Sequence, residues 1–349
     1  MDLLERSFTV DVLKVVAAQL IVWHHFSAYG PMADTMNLQW PQLIHWLYFD
    51  ARQAVQVFLV VGGFLAGQSV MNKPVLYPLI HILKRYVRLA PIFILAISLI
   101  SLAVALSRAN IQGDWLPSAP TFMHLLAHAL LVHDLAGVEA LSSGAWYVAI
   151  DFQLFVLLIV LCHQLQRFGL RMLSLGVALL CVLSMWWFNR IDELDLWAIY
   201  FFAAYGLGIL AAWAKRSSFD AAVFGITVLL ALGALWIEYR TRLSLALLTA
   251  IWLAIKPKSM VHWTPMKRVV HRLANSAYVL FLTHFGMIVV FSAIWNITHL
   301  NNPVTAFALT GFAWCCCVGL GLFLHEKAEI PVHHWISHQS KLMFLRLTN

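Results

Sequence analysis

Long apolar stretches recur along the chain, and they limit what it can fold into. About 20 apolar residues in an α-helix match the ~30 Å hydrocarbon core of a bilayer. Hydrophobic residues make up 62% of the sequence and charged residues only 11%, whereas soluble domains carry about 25% charged residues. The pattern predicts an all-α, polytopic transmembrane helix bundle. We expect about ten spanning helices, at residues 8–29, 52–72, 89–106, 144–163, 169–188, 194–213, 219–238, 241–255, 274–296 and 303–325.

The basic residues predict how these helices are oriented. If the N-terminus is cytoplasmic, 18 of the 23 Lys and Arg residues lie on the cytoplasmic side and 5 on the other. This bias follows the positive-inside rule and predicts that both termini are cytoplasmic. The net charge of +7 therefore reflects topology, and no nucleic-acid partner is expected. No internal repeat is apparent, so residues 1–349 are interpreted as one integral membrane domain.

The first predicted span carries a polar stripe. At ~100° per residue, Asp11, Lys14 and His25 share one narrow helix face, and His25 lies ~16 Å along the axis from Lys14. Ionisable side chains in a membrane usually face the bundle interior or a wet cavity, and they often mark a function. Two simpler interpretations stay open: Asp11 and Lys14 neutralise each other near the cytoplasmic end, or His25 is structural.

A basic segment precedes the third predicted span. Arg85 and Arg88 are three residues apart, so they project from one face at its cytoplasmic mouth, with Pro91 in the first turn of the span. Guanidinium groups suit phosphate, and two of them at a membrane surface predict an anion site. The alternative is a basic anchor that contacts lipid phosphates.

The fourth and ninth spans carry polar groups in apolar surroundings. Asp151 lies one to two turns inside the outer end of the fourth span, where a lone carboxylate is costly unless it is paired or hydrated. His284 lies near mid-membrane in the ninth. A carboxylate close to His25 could orient that imidazole for general-base catalysis of a hydroxyl group. Spans five to eight carry little beyond packing groups and are interpreted as scaffold.

Two smaller features are more ambiguous. The paired glycines of the Gly62–Phe64 run either permit close helix packing or break the second span. His124 and His128 are one helical turn apart in the long outer connection, within a segment expected to lie as a helix at the membrane interface. Because the sequence offers them no obvious third ligand, no metal is expected.

Several motifs occur together in the order seen in the acyltransferase-3 family of integral membrane acyltransferases. They are Lys14 with His25, the Gly62–Phe64 run, Arg85 with Arg88 and Pro91, Trp146 with Asp151, Gln153 and Phe155, and Tyr278 with His284. The chain resembles that family over nearly all of its length, and the family also has ten spans. It departs from the family pattern in having Asp151 where many members have Glu and Gly62 where many have Ser.

The resemblance implies an acetyl-coenzyme A-dependent O-acetyltransferase of the bacterial inner (plasma) membrane. Such an enzyme moves an acyl group, usually acetyl, from cytoplasmic acyl-coenzyme A to a hydroxyl of an envelope carbohydrate or lipid-linked glycan. By position, His25 would be catalytic, with Lys14 as its partner on the same helix face and Asp151 orienting it. Arg85 and Arg88, with Lys14, would bind the coenzyme A phosphates. The side chains expected to contact substrate are Asp11, Trp146, Tyr278 and His284.

Two other classes of function compete with this interpretation. A transporter or exporter of a glycan or small acid would use intramembrane charges along its route, but the sequence shows neither an inverted repeat nor paired broken helices. A structural partner in an envelope complex is the third alternative. Binding of acyl-coenzyme A discriminates between the transferase and the transporter, because only the transferase is expected to bind it.

Overall fold

The computed structural model describes residues 8–71, 74–255, 264–336 and 338, and every regular element in these residues is helical. This confirms the all-α prediction. Both chain termini lie outside the described residues, so their cytoplasmic location stays a prediction. The α-helices are α1 Phe8–Ala28, α2 Pro31–Gln39, α3 Pro41–Phe49, α4 Val55–Val70, α5 Pro78–Ser107, α6 Phe122–Ala129, α7 Ala145–Leu165, α8 Leu170–Trp186, α9 Ala198–Trp213, α10 Ser218–Ile237, α11 Thr241–Ile255, α12 Thr264–Ile297 and α13 Pro303–Leu324.

Each of the ten predicted spans coincides with one of these helices. By length and apolar composition, seven helical stretches of the described chain could cross a membrane. α1 is not among the seven, and α9 and α11 are apolar but have only 16 and 15 residues. The membrane character of the chain is therefore supported, whereas the count of ten spans stays a prediction.

Two helices begin earlier than the sequence predicts. α5 has 30 residues and starts at Pro78, so Arg85 lies two turns inside the helix and Pro91 lies in its interior. The placement of Pro91 in the first turn was therefore wrong. α12 has 34 residues and starts at Thr264, so His284 lies about one turn beyond its midpoint. In both cases the added turns contain Lys and Arg, which favour helix but lie outside the apolar window that predicts a span.

Contacts divide the chain into two compact units. Unit one comprises residues 1–19, 52–85 and 149–274, and unit two comprises residues 20–51, 86–148 and 275–349.

The core of unit one is the packing of α4 against α9. A Cβ atom at Gly63 would collide with the carbonyl oxygen of Tyr205, and one at Gly208 would collide with that of Val60, so the two backbones are in contact. Trp213 closes the interface by donating its indole N–H to the Gly67 carbonyl at 2.9 Å. The glycine run of α4 thus serves close helix packing, which was one of its two interpretations.

Unit two is organised around α12. A Cβ atom at Gly286 would lie 3.3 Å from the Ile100 side chain of α5, and one at Gly321 of α13 would lie 3.0 Å from Leu280. Phe285 belongs to a buried cluster that α5 and α12 share. This packing fixes the rotation of α12 and therefore the direction in which His284 points.

Candidate active site

The histidine of the first predicted span pairs with the histidine of the ninth. In unit two, Nδ1 of His25 lies 2.7 Å from Nε2 of His284, and the rings stack with centroids 4.8 Å apart at 16°. His25 is 7% exposed and His284 is fully buried. Nδ1 of His284 lies 2.6 Å from the carbonyl oxygen of Phe281.

These contacts determine where the protons are. The Phe281 carbonyl can only accept, so Nδ1 of His284 must carry a hydrogen. In neutral His284, Nε2 then has a lone pair, and Nδ1–H of His25 donates to it. Nε2 of His25 is left as the basic nitrogen. The hydrogen-bonded pair His25–His284 is the histidine relay. In unit two, His284 therefore contacts Nδ1 of His25, the nitrogen through which a partner could orient that ring.

Side chains beside the relay hold it in place. Tyr29 stacks on His25 with ring centroids 5.7 Å apart. Phe285 meets Tyr29 edge-on at 5.6 Å, and Trp115 lies 6.2 Å from Tyr29. The His24 ring also lies close, with its centroid 4.8 Å from that of His25, and its Nδ1 lies 3.1 Å from the Leu47 carbonyl of α3. Tyr29 and Trp115 are only partly buried, so aromatic surface lies close to the relay.

Arg85 and Asp151 form an ion pair within unit one. A guanidinium nitrogen of Arg85 lies 2.5 Å from a carboxylate oxygen of Asp151, and the guanidinium also lies 5.3 Å from the centre of the Phe155 ring. From the sequence, Arg85 is expected at the cytoplasmic mouth and Asp151 toward the outer side. That separation was wrong, because the early start of α5 brings Arg85 level with the carboxylate.

Tyr205 is a residue of this site that the sequence analysis missed. A Cβ atom at Gly62 would lie 3.4 Å from Asp151 and 3.6 Å from the Tyr205 ring, so all three line the same space. The Tyr205 side chain is 1% exposed, and its hydroxyl has no hydrogen-bond partner among the described residues. The available signal was that α9 is apolar all round, which is typical of a buried helix, so its tyrosine hydroxyl has to lie inside the protein.

The residues of the polar stripe on α1 that lie nearer its start have surroundings of their own. Asp11 is 5% exposed, and its carboxylate accepts a hydrogen bond of 2.9 Å from Nδ1 of His271 in unit one. Asp11 thus has a partner on α12, and its neutralisation by Lys14 stays a prediction. Lys14 is half-buried on α1.

Three further predicted site residues belong to unit two. The Tyr278 hydroxyl donates to the Leu89 carbonyl at 3.1 Å, which links α12 to α5. Trp146 is half-buried, with its ring edge-on to Tyr147 at 6.1 Å. Arg88 is exposed, and its carbonyl accepts a hydrogen bond of 3.2 Å from His333.

The outer-loop histidines have structural partners. His124 and Thr121 form a capping box at the start of α6. Nδ1 of His128 lies 2.7 Å from the His124 carbonyl, and its Nε2 accepts the Leu141 N–H at 3.0 Å. Within the described residues, no group of three or more His, Cys, Asp or Glu side chains is placed to hold a metal.

Comparisons with known proteins bear on this arrangement. A family model of the acyltransferase-3 type, described as an acyltransferase domain, matches residues 8–322. A Caenorhabditis elegans protein described as "Regulator of hypoxia-inducible factor 1" is 23% identical over 192 residues, which is 50% of this chain and 38% of that protein. The match therefore spans well under two thirds of this relative. No solved structure matches the chain.

The family model covers nearly the whole chain, including both histidines of the relay and the Arg85–Asp151 pair. Apolar helices of spanning length agree with an integral membrane protein. The chain therefore belongs to the acyltransferase-3 family.

Proposed function

We propose that the protein is an O-acyltransferase that moves an acyl group, most simply acetyl, from cytoplasmic acyl-coenzyme A to a hydroxyl of an envelope carbohydrate or lipid-linked glycan. The observation that carries the proposal is the histidine relay. Its hydrogen bonds leave Nε2 of His25 as a base, which is the group that O-acylation requires.

The reaction follows from that base. Nε2 of His25 takes the proton of the acceptor hydroxyl while the oxygen attacks the thioester carbonyl carbon. The C–O bond forms, the C–S bond breaks, and the coenzyme A sulfur leaves with the proton that His25 has held. The bond from Nδ1 to His284 holds the ring in one orientation throughout, as the third group of a triad does.

Donor binding falls to the basic residues of α1 and α5. Lys14, Arg85 and Arg88 supply positive charge for the phosphates of coenzyme A. Because Asp151 already pairs with Arg85, the carboxylate holds that guanidinium in one position before the donor arrives. Such preorganisation lowers the entropic cost of binding.

Acceptor binding falls to the side chains around the relay. The ring surfaces of Tyr29 and Trp115 offer apolar area for a sugar ring, and Trp146 and Tyr278 are further candidates. Asp11 has His271 as its partner and is a weaker candidate. We place the enzyme in the bacterial inner membrane, with membrane lipid as its surroundings.

The test uses purified, full-length protein in uncharged detergent. Binding of acetyl-coenzyme A is measured by calorimetry. Release of free coenzyme A by slow hydrolysis, in which water takes the place of the acceptor hydroxyl, is followed with a thiol reagent. The proposal predicts saturable binding by wild type and His25→Ala, with thiol release abolished only in His25→Ala. If the protein did not bind acetyl-coenzyme A, the result would favour the alternative that it is a glycan transporter. Unchanged thiol release by folded His25→Ala would remove His25 from the chemistry.

A further inference from the structure

The connection between α5 and α7, within unit two, extends far from the end of α5 at which it begins. α5 ends at Ser107, and its last 19 residues, from Leu89 onward, include no charged side chain. At ~1.5 Å per residue this apolar length measures ~28 Å, enough to cross the ~30 Å hydrocarbon core of a bilayer. The depth that the connection reaches can therefore be measured along α5 from Ser107.

Two contacts place the last turn of α6 far from that end of α5. The Tyr86 hydroxyl, which lies beyond the apolar length of α5, donates to the Ala129 carbonyl at 2.8 Å. The Phe93 ring, 14 residues before the end of α5, has its centre 6.1 Å from that of the His128 ring. Fourteen helical residues are ~21 Å long. The last turn of α6 therefore lies ~20 Å inside the apolar length of α5.

On either side of α6, the chain lies at the level where it leaves α5. Arg108 donates to the Pro117 carbonyl at 2.5 Å. The Ser118 N–H donates to the Glu139 carboxylate at 3.2 Å. Ser118 and Glu139 thus form the base of a hairpin that has the end of α6 at its tip. Residues 118–139 are named the α6 hairpin.

The exposed surface of the α6 hairpin is apolar. Between residues 122 and 135, seven side chains are exposed, and all seven are Phe, Met, Leu or Val. Phe122 and Met123 are the most exposed, at 71% and 63%. The polar side chains of the same stretch are buried or half-buried. A contiguous exposed apolar surface normally marks an interaction site.

Backbone polar groups at the tip of the α6 hairpin are paired within the protein. The Leu131 N–H donates to the His128 carbonyl at 3.0 Å, and the Ala129 carbonyl accepts from Tyr86. His128 is 1% exposed, and both of its ring nitrogens are hydrogen-bonded. Such pairing is what non-helical backbone needs at membrane depth.

We propose that the α6 hairpin enters the bilayer beside α5 and turns back within it, and that its apolar face binds lipid acyl chains. This placement differs from the surface helix expected from the sequence. A helix at the interface buries its apolar face only about 5–10 Å into the boundary between headgroups and acyl chains, whereas the contacts with Phe93 and Tyr86 are deeper. The proposal does not rest on the proposed function, because none of these contacts involves His25.

The test measures depth by spin labelling of the full-length protein in phosphatidylcholine nanodiscs. Cys315 and Cys316, the native cysteines that are not buried, are replaced by alanine, and one new cysteine at a time carries a nitroxide. Leu126→Cys reports on α6. Leu99→Cys marks the middle of the apolar length of α5, and Leu106→Cys marks its end. Collision of the nitroxide with oxygen, which concentrates in hydrocarbon, relative to a water-soluble nickel complex gives the depth of each label.

We expect the Leu126 label within about 5 Å of the depth of the Leu99 label, because the helical rise places both near the middle of the core. Asp114→Cys, at an exposed position before the hairpin, is the control in water and should collide freely with the nickel complex. If Leu126→Cys does not fold, Leu125→Cys, at a position 43% exposed, replaces it. A depth nearer to that of the Leu106 label than to that of the Leu99 label would overturn the proposal. Nickel collision as frequent as that of the Asp114 label would also overturn it.

Discussion

His25 and His284 form the hydrogen-bonded pair on which the proposed chemistry depends. In a triad with a carboxylate, the third group both orients the imidazole and stabilises its positive charge. A neutral His284 orients the ring equally well but provides less electrostatic stabilisation. The fixed geometry, held by the Phe281 carbonyl and the stacked Tyr29 ring, is therefore the main contribution of the surroundings.

The relay can be tested at His284 itself. His284→Phe preserves a ring but removes the acceptor of Nδ1, so kcat for acyl transfer should fall by about 10²-fold, within the usual range for general-base catalysis. His284→Gln offers a side-chain oxygen in place of Nε2 and should retain more activity. Initial rates at matched amounts of folded protein provide the comparison. If the Phe variant were as active as the Gln variant, the relay would have no catalytic role.

Substitution of Tyr205 should affect activity and stability in different ways. Its hydroxyl is buried without a partner among the described residues. Tyr205→Phe should therefore leave the unfolding free energy unchanged or raise it by up to about 1 kcal/mol, and the melting temperature should not fall. Activity should nevertheless fall, because the hydroxyl lies beside the Arg85–Asp151 pair. Tyr278→Phe is the control for stability: its hydroxyl is bonded to Leu89, and its loss should destabilise. A destabilised but fully active Tyr205→Phe would assign that hydroxyl a structural role.

At the level of single residues, the sequence identified the side chains better than their partners. His25, Asp151 and His284 stand out because each is polar in an apolar span. Which of them pair depends on the rotation of each helix, which distant packing determines. Tyr205 was missed because its helix was interpreted as scaffold, although the all-apolar surface of that helix indicates that its hydroxyl is buried.

The contact of α4 with α9 is the tightest feature at the level of elements. Gly63→Ala would drive a methyl group into the Tyr205 carbonyl, and overpacking of this kind costs about 1–3 kcal/mol. Gly311→Ala is the matched control, because no atom lies within 4 Å of the added Cβ on α13, and alanine favours helix by about 0.5–1 kcal/mol. Thermal unfolding should show a lowered midpoint only for Gly63→Ala. Equal midpoints would mean that the helices do not meet backbone to backbone.

Two buried histidines, one near the end of α6 and one just after it, should make stability depend on pH. His128 and His133 are buried and stack 4.2 Å apart. Burial lowers the pKa of each from 6.5 to about 4, and for His128 the neighbouring His133 adds to the effect. In the unfolded chain both bind protons near pH 6.5, so acidification from 6.5 to 4 favours unfolding, whereas above pH 7 these groups have no effect.

Melting temperatures measured across that pH interval test the prediction. His133→Leu should flatten the dependence, because it removes one of the two buried imidazoles. The replacement also removes the 3.4 Å contact of His133 Nε2 with the Asp134 carboxylate, which is an ion pair only when His133 is protonated. His124→Ala, which alters the cap of α6 but keeps the buried pair, should leave the slope as it is. A wild-type slope in His133→Leu would contradict the assignment.

Elements were predicted well wherever they are apolar. The ten spans coincide with helices because bilayer-length apolar runs have few alternatives to helix. The early starts of α5 and α12 were missed because their first turns are basic, and hydropathy does not distinguish a basic helix from a loop. That difference had consequences at the site, since it moved Arg85 next to Asp151.

For the whole molecule, membership of the acyltransferase-3 family supports the proposed chemistry centred on His25. The Lys and Arg bias predicts which ends of the helices face the cytoplasm, and acyl-coenzyme A is made there. If the acceptor is an envelope glycan, the transferred acyl group should be found on glycans. Which glycan carries it is identified by analysing cells, because the amino-acid composition does not specify it.

The most direct test is mass spectrometry of envelope glycans from cells that lack the protein and are supplied with wild type, His25→Ala or His24→Ala at equal levels in the membrane. His24 is the control because it neighbours His25 but contacts the Leu47 carbonyl. The account predicts an ester-linked acyl group with wild type and His24→Ala, and its loss with His25→Ala and without the protein. The same acyl ester in cells with His25→Ala as in wild type would contradict it.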